Sequence, residues 1–409
     1  MTSVFHQVTE PGARISADVL VLGGGIVGAA VARELSRAGA DVALVEAAGP
    51  AAGSSGRCDG NVLVQTKHDD LGVRLTLRSI EAYRRWDGEL DGGLGFHQRG
   101  SLVFFADPEQ DAGAPRRVAR LHAAGVRAEH VDGDELRRRE PALRPGLAGA
   151  VDCHDDASVY PPGAVAALLR DAVRHGCRTH WGVRALRLLT GRDGRVRGVR
   201  TDRGDFAAPH VVNAMGVWSP GLDAGGLVPL PIRPRQGVLV VTEEAPGLIR
   251  RTVTEAGYMA DRAAAGDGTR PAVAFVAEPT GRGNLLLGSS RRFCGARTDV
   301  DPDLFTAIVA RAVGFLPGLA RVRAIRSFAG LRPWTPDNRP IVGESGAIPG
   351  YVLATGHEGE GVGLAPVTAE LVTAAVLGRP APGEVLDAAL DAFAPDRFAG
   401  HSEAAGEVS

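Results

Sequence analysis

Lysine is almost missing from this chain of 409 residues: Lys67 is the single one, and arginine carries the rest of the basic charge. That bias reflects the coding sequence more than a stability device. The formal net charge of -2 leaves no polybasic tail and no acidic block, which removes the electrostatic footprint of a nucleic-acid or membrane-surface partner. Cysteine is scarce as well. Cys58, Cys153, Cys177 and Cys294 stand apart, with no CxxC pair and no histidine at metal-ligand spacing, so no metal centre is expected and reduced thiols in a cytoplasm are. No long apolar run is present either. The first one follows Glu10 and Asp18 and is broken by glycines, which fits neither a secretory signal nor a membrane span. What remains, 44% hydrophobic and 23% charged residues over this length, is the composition of a soluble globular protein of two or more domains, suited to small neutral or zwitterionic ligands.

Asp18 to Leu22 reads as a strand, Ile26 to Ala38 as a helix closed by Gly39, and Asp41 to Val45 as a second strand ending at Glu46. This is a βαβ unit, and it implies a parallel sheet. A helix is predicted over Leu71 to Leu90, a strand over Gly100 to Phe105, a surface helix over Asp107 to Gly125, and a helix over Ala164 to His175 with Pro161 and Pro162 at its start. Val183 to Leu189, Arg195 to Thr201 and Phe206 to Asn213 form a predicted meander. Strands over Pro229 to Thr242, Ala272 to Ala277 and Asn284 to Gly288, with a helix from Pro302 to Phe315, suggest a separate antiparallel sheet. Strands near Arg323 to Phe328 and Tyr351 to Thr355 and a helix from Gly363 to Leu377 return the chain to the first domain. The predicted fold class is therefore α/β, α+β overall: a discontinuous Rossmann-like domain over 1–95, 150–228 and 323–409, and a substrate domain with a mixed or antiparallel sheet over 96–149 and 229–322.

Gly23, Gly25 and Gly28 form GxGxxG between strand and helix, where they permit the tight turn, the approach of a pyrophosphate and close packing. Glu46, roughly twenty residues on, can accept from both ribose hydroxyls. Together they predict the ADP half of a dinucleotide, NAD or FAD, while the acid disfavours the 2'-phosphate of NADP. The loop Gly53, Ser54, Ser55, Gly56, Arg57 either completes the pyrophosphate cradle or is an ordinary surface loop. HEGEGVG at His357 to Gly363 opens the last helix, whose amides and dipole suit negative charge.

Beyond the fingerprint, five stretches carry a resemblance: SSGRCDGN at Ser54 to Asn61, VVNAMGVWS at Val211 to Ser219, LLLGSSRRF at Leu285 to Phe293, GLRPWTPDNRPIVG at Gly330 to Gly343, and ATGHEGEGVGLAP at Ala354 to Pro366. With them the chain resembles the FAD-dependent glycine/D-amino acid oxidase (DAO) family, which includes glycine oxidase, hydrogen cyanide synthase and sarcosine oxidase subunit beta. The resemblance implies non-covalent FAD and oxidation of an amino acid or secondary amine to an imine. It implies a cofactor site of Gly23, Gly25, Ile26, Val27, Gly28, Glu46, Ser54, Ser55, Arg57, Cys58 and Asn61. Val183 would join near the adenine, Ala214, Gly216 and Trp218 along the dinucleotide, and Gly330, Arg332, Gly359, Glu360, Gly361, Val362 and Gly363 near the flavin.

The implied catalytic set is Arg332, Tyr258 and His357. By resemblance Arg332 pairs with the substrate carboxylate, a structural salt bridge being its alternative. Tyr258 is a pocket residue or a packed core tyrosine. Three departures from the family stand out. Glu358, Gly359 and Glu360 occupy the loop where glycine oxidase-like members carry an additional arginine, so these acids either hold a cationic amine or are solvated. Gly330 stands where monomeric sarcosine oxidase tethers its flavin through cysteine. Cys58 is redox-active or a small buried thiol. Lys67 is a cation near the flavin or an exposed structural lysine. Two rivals share the fingerprint: a flavin hydroxylase using NAD(P)H, and a flavoprotein subunit of a hetero-oligomeric amine dehydrogenase. Homo- and hetero-oligomers are both left open.

Overall fold

The computed structural model describes residues 12, 15–222, 224–257 and 271–399, so Tyr258 lies outside the described residues. Short β-branched runs build a six-stranded sheet in the order Ile341–Glu344, Tyr351–Thr355, His210–Asn213, Val19–Leu22, Val42–Glu46, Arg178–Trp181. All neighbours run parallel except the edge strand Ile341–Glu344. Both faces are covered, as a parallel sheet requires. Val19 and Val21 pack with residues of the helices Ile26–Arg37, Pro161–Arg174 and Gly361–Val376, while Leu20 and Leu22 pack with Leu188, Val199 and Phe206 of a three-stranded meander, to which Ile15–Ser16 adds a parallel edge strand.

That meander corrects one expectation. Phe206 to Asn213 is not a single strand: Gly204–Ala207 pairs inside the meander and His210–Asn213 pairs beside Val19–Leu22. Pro209 sits at the break, where its missing N–H cannot continue a ladder. The surface helix expected over Asp107 to Gly125 is likewise two helices, Pro108–Asp111 and Ala114–Ala123. Gly113 caps the second without a side-chain bond.

An eight-stranded sheet runs Ala324–Trp334, Arg233–Thr242, Leu285–Arg291, Ala272–Pro279, Thr252–Glu255, Ser101–Phe105, Gly149–Cys153, Ala128–Asp132. It is antiparallel except where Thr252–Glu255 meets Ser101–Phe105. Helix Pro302–Phe315 covers one face, with Leu304, Ile308 and Ala312 against Val238, Val240, Phe275 and Leu287. The strand expected near Arg323 to Phe328 does not return to the first domain. It extends to Trp334 and pairs along Arg233–Thr242, from Arg233 opposite Trp334 to Thr242 opposite Ala324. The division at 150 likewise cuts through Gly149–Cys153, which pairs with Ser101–Phe105. Alternation along one strand marks its buried face but not the sheet it joins.

Candidate functional site

Residues from both large sheets line a cavity of about 610 Å³. At one end the chain leaves Val19–Leu22 through Gly23, whose φ of +110° and a would-be Cβ 2.5 Å from the Ala214 carbonyl oxygen admit only glycine. A Cβ on Gly28 would lie 2.0 Å from the Gly23 carbonyl oxygen, so Gly28 serves helix packing; unlike Gly23, Gly25, Ile26 and Val27 it does not line the cavity. Helix Ile26–Arg37 starts without an acid in its first turn and with Gly25 as its N-cap, which leaves the positive end of the dipole for a ligand. Ser55 Oγ accepts from the Ile26 amide at 2.9 Å, and a Cβ on Gly25 would crowd that oxygen at 3.1 Å.

Glu46 lies beside this turn. Its Oε2 accepts from Gly24 N at 2.7 Å and its Oε1 from Ala48 N at 2.8 Å, so each oxygen retains capacity for a ribose hydroxyl. Helix amides, glycine backbone open to close approach and an acid at the end of the next strand fit the ADP portion of FAD. Val183, Ala214, Gly216 and Trp218 continue the lining, as do Ser54, Arg57, Cys58 and Asn61. The Ser54 hydroxyl donates to the Leu331 carbonyl, which ties this loop to the eight-stranded sheet. Gly330 has no room for a side chain, since its Cβ would lie 2.3 Å from the Arg57 carbonyl oxygen. Burial, with Asp59 and Glu278 nearby, pushes the Cys58 thiol far above its ordinary value, so the thiol stays protonated.

At the far end Arg332, His357, Glu358, Gly359, Glu360, Gly361 and Val362 line the cavity, whereas Gly363 lies one position too deep in the helix. Arg332 Nη1 donates to the Ser290 carbonyl at 3.0 Å. Glu358 sits at a left-handed φ of +49° and is only 6% exposed. Its Oε1 accepts from both Nε, at 3.1 Å, and Nη2 of Arg235, and lies 3.9 Å from Arg332 Nε. Glu360 pairs with Lys67, which is 8% exposed. The solvated acids and the exposed lysine of the alternative readings are thus corrected: Lys67, Arg235 and Glu358 are buried and Glu360 is partly buried, each paired with an opposite charge. His357 Nε2 meets Thr368 Oγ1 at 2.9 Å, and burial lowers its pKa to about 4 against the pull of Glu360, so the ring is neutral near pH 7.

Sequence reasoning missed Arg235, the partner of Glu358, and the wall residues Leu239, Thr254 and Val276, which only strand pairing brings to the cavity. It also missed Glu278. The Gly60 amide donates to Glu278 Oε2 at 2.9 Å, and burial with Asp59 nearby raises that carboxyl to about 8. For Lys67 a signal existed, as the one lysine in an arginine-rich chain. Elsewhere, ligand atoms of Glu129, Asp152 and His154 lie within 4.8 Å of one another. Arg139 donates to Glu129 at 2.7 Å and Asp152 at 2.6 Å, so a guanidinium already supplies the cation there. Among the described residues no helix is long and apolar enough to cross a membrane.

A family model described as FAD dependent oxidoreductase matches residues 18–375. Hydrogen cyanide synthase subunit HcnC of Pseudomonas protegens is 27% identical over 399 residues, covering 87% of this chain and 91% of that protein. Glycine oxidase of Bacillus licheniformis is 27% identical over 379 residues, covering 91% and 96%. Among solved structures, L-proline dehydrogenase from P. horikoshii superposes with a TM-score of 0.84 at 24% identity, covering 95% of this chain and 99% of that one.

Proposed function

The chain belongs to the FAD dependent oxidoreductase family, and from that premise we propose that it oxidises the C–N bond of an amino acid or secondary amine, of the glycine, sarcosine or D-amino or imino acid class, to an imine. The observation that carries this reading is Arg332, a guanidinium of the cavity lining fastened by the Ser290 carbonyl, in a cavity that Leu239 and Val276 also line. FAD, when bound, supplies the oxidising chemistry by taking a hydride from the carbon next to nitrogen. Gly23, Gly25 and Glu46 would hold its ADP portion, and the loop Gly359 to Val362 its ring.

Arg332 does the orienting. Arg235 neutralises Glu358, so the Arg332 fork remains for a carboxylate, which it would clamp and so fix the direction of the α C–H bond. The aliphatic wall keeps water from the reacting carbon and lowers the pKa of the substrate amine, favouring its neutral form. His357, neutral and bonded to Thr368, serves to hold the loop against the last helix and not to carry a proton. Water then hydrolyses the released imine to a carbonyl compound and ammonia or an amine. Four free cysteines fit a reducing cytoplasm.

Anaerobic addition of glycine, sarcosine, D-alanine, D-proline and their L forms to the purified yellow protein is the test. Bleaching of the flavin band by one of these supports the proposal; bleaching by NAD(P)H alone would sink it in favour of a hydroxylase.

A further inference from the structure

Lys67 is the only lysine in the sequence, and it lines the same cavity as the glycine fingerprint. Its loop is held without help from its side chain. Arg120 donates to the carbonyls of Lys67 and His68, both at 2.6 Å, Arg117 donates to that of Gln65, and Asp156 accepts from the Val64 amide. Asp156 is itself buried and accepts from Ser101 Oγ at 2.6 Å. So much anchoring on one short loop aims a single ammonium group at Glu360, the residue that precedes helix Gly361–Val376.

Glu360 occupies an unusual place. An acid before a helix offsets the positive end of the dipole, and here the first residues of the helix, Gly361 and Val362, line the cavity. The helix has no acid in its first turn, Glu360 makes no capping bond with its side chain, and Lys67 takes its charge instead. Of the other groups at this end, Glu358 is balanced by Arg235 and His357 is neutral by its lowered pKa, while the Arg332 guanidinium keeps its charge and is the same in every variant below.

We propose that Lys67 and Glu360 are a pair of opposed positioning charges that set the positive potential met by the bound cofactor ring, Lys67 raising it and Glu360 lowering it. The inference rests on FAD binding and not on the amine substrate, so it survives if the substrate class is wrong. Because the loop is held through its backbone, Lys67→Met removes the charge and keeps the loop. With a partner gone, the charge left behind acts through a buried medium, where its effect is far larger than in water.

Sulfite is the probe. It adds to oxidised flavin through its own electron pair, forming an N–S bond and leaving the negative charge on the ring, so its dissociation constant reads the local potential without turnover. The FAD-loaded protein, titrated at one pH and ionic strength, is expected to bind sulfite about tenfold more weakly as Lys67→Met and about tenfold more tightly as Glu360→Gln, with the double variant near the parent. The midpoint potential of the flavin should fall, rise and return in the same order. Shifts of both single variants in one direction would mark a merely structural role and overturn the proposal, and so would no shift in either. If Lys67→Met loses FAD, Glu360→Gln decides alone, and an unchanged or weaker sulfite affinity overturns the proposal.

Discussion

The two ends of the cavity are built by opposite means. At the fingerprint end, recognition is made of backbone: glycines that keep space open, helix amides, and one acid within a single βαβ unit. At the far end it is made of charged side chains that come from separate strands and loops, Lys67, Arg332, Glu358 and Glu360 with Arg235 as the partner of Glu358, all buried or partly buried. The difference teaches where each end is fragile. A backbone site fails when an atom is added, whereas a buried ion-pair site fails when a charge is removed.

The largest effect should come from adding an atom at the first end. Gly28→Ala puts a methyl group against the Gly23 carbonyl, where the contact would be 2.0 Å, and should yield protein that lacks FAD and is less stable by about 3 kcal/mol. Flavin absorbance per protein and a denaturant melt read both; retention of FAD would break the contrast.

Next comes removal of charge at the second end. Glu358→Ala strands Arg235, which is 5% exposed, and should cost about 3 to 5 kcal/mol in the same melt. A loss below about 1 kcal/mol would mean that Arg235 finds water or another acid.

Arg332→Ala sharpens the contrast within that end, because Arg332 contacts a carbonyl and only approaches Glu358. Stability should change little, while the apparent KM for a carboxylated substrate rises about 10- to 100-fold, the range of a charge-assisted hydrogen bond. An unchanged KM for every carboxylated substrate would remove Arg332 from its assigned role.

The smallest effect is a slope. Glu278 is raised from 4.5 to about 8, so the folded state holds its proton more tightly than the unfolded chain does. Its contribution to stability is fully present below pH 4.5 and is lost as pH rises toward about 8. Glu278→Gln should therefore flatten the decline between those limits and be the more stable protein above pH 8; an unaltered slope across melts at several pH values would contradict this.

Legibility follows the same division. Helix Pro302–Phe315 and strand Tyr351–Thr355 stand where their residue patterns predict them, and Gly23, Gly25 and Glu46 line the cavity. Arg332 could be named only through its motif, and Arg235 carried no signal at all. The sequence by itself determined the βαβ unit, its glycine turn and its acid, because turn chemistry, helix start and strand end act within a few dozen residues of one another. Only the tertiary structure decided that Ala324–Trp334 joins Arg233–Thr242, that Glu358 answers Arg235 and that Lys67 meets Glu360. Those choices depend on sheet pairing and on burying charge beside charge, and neither leaves a periodicity along the chain.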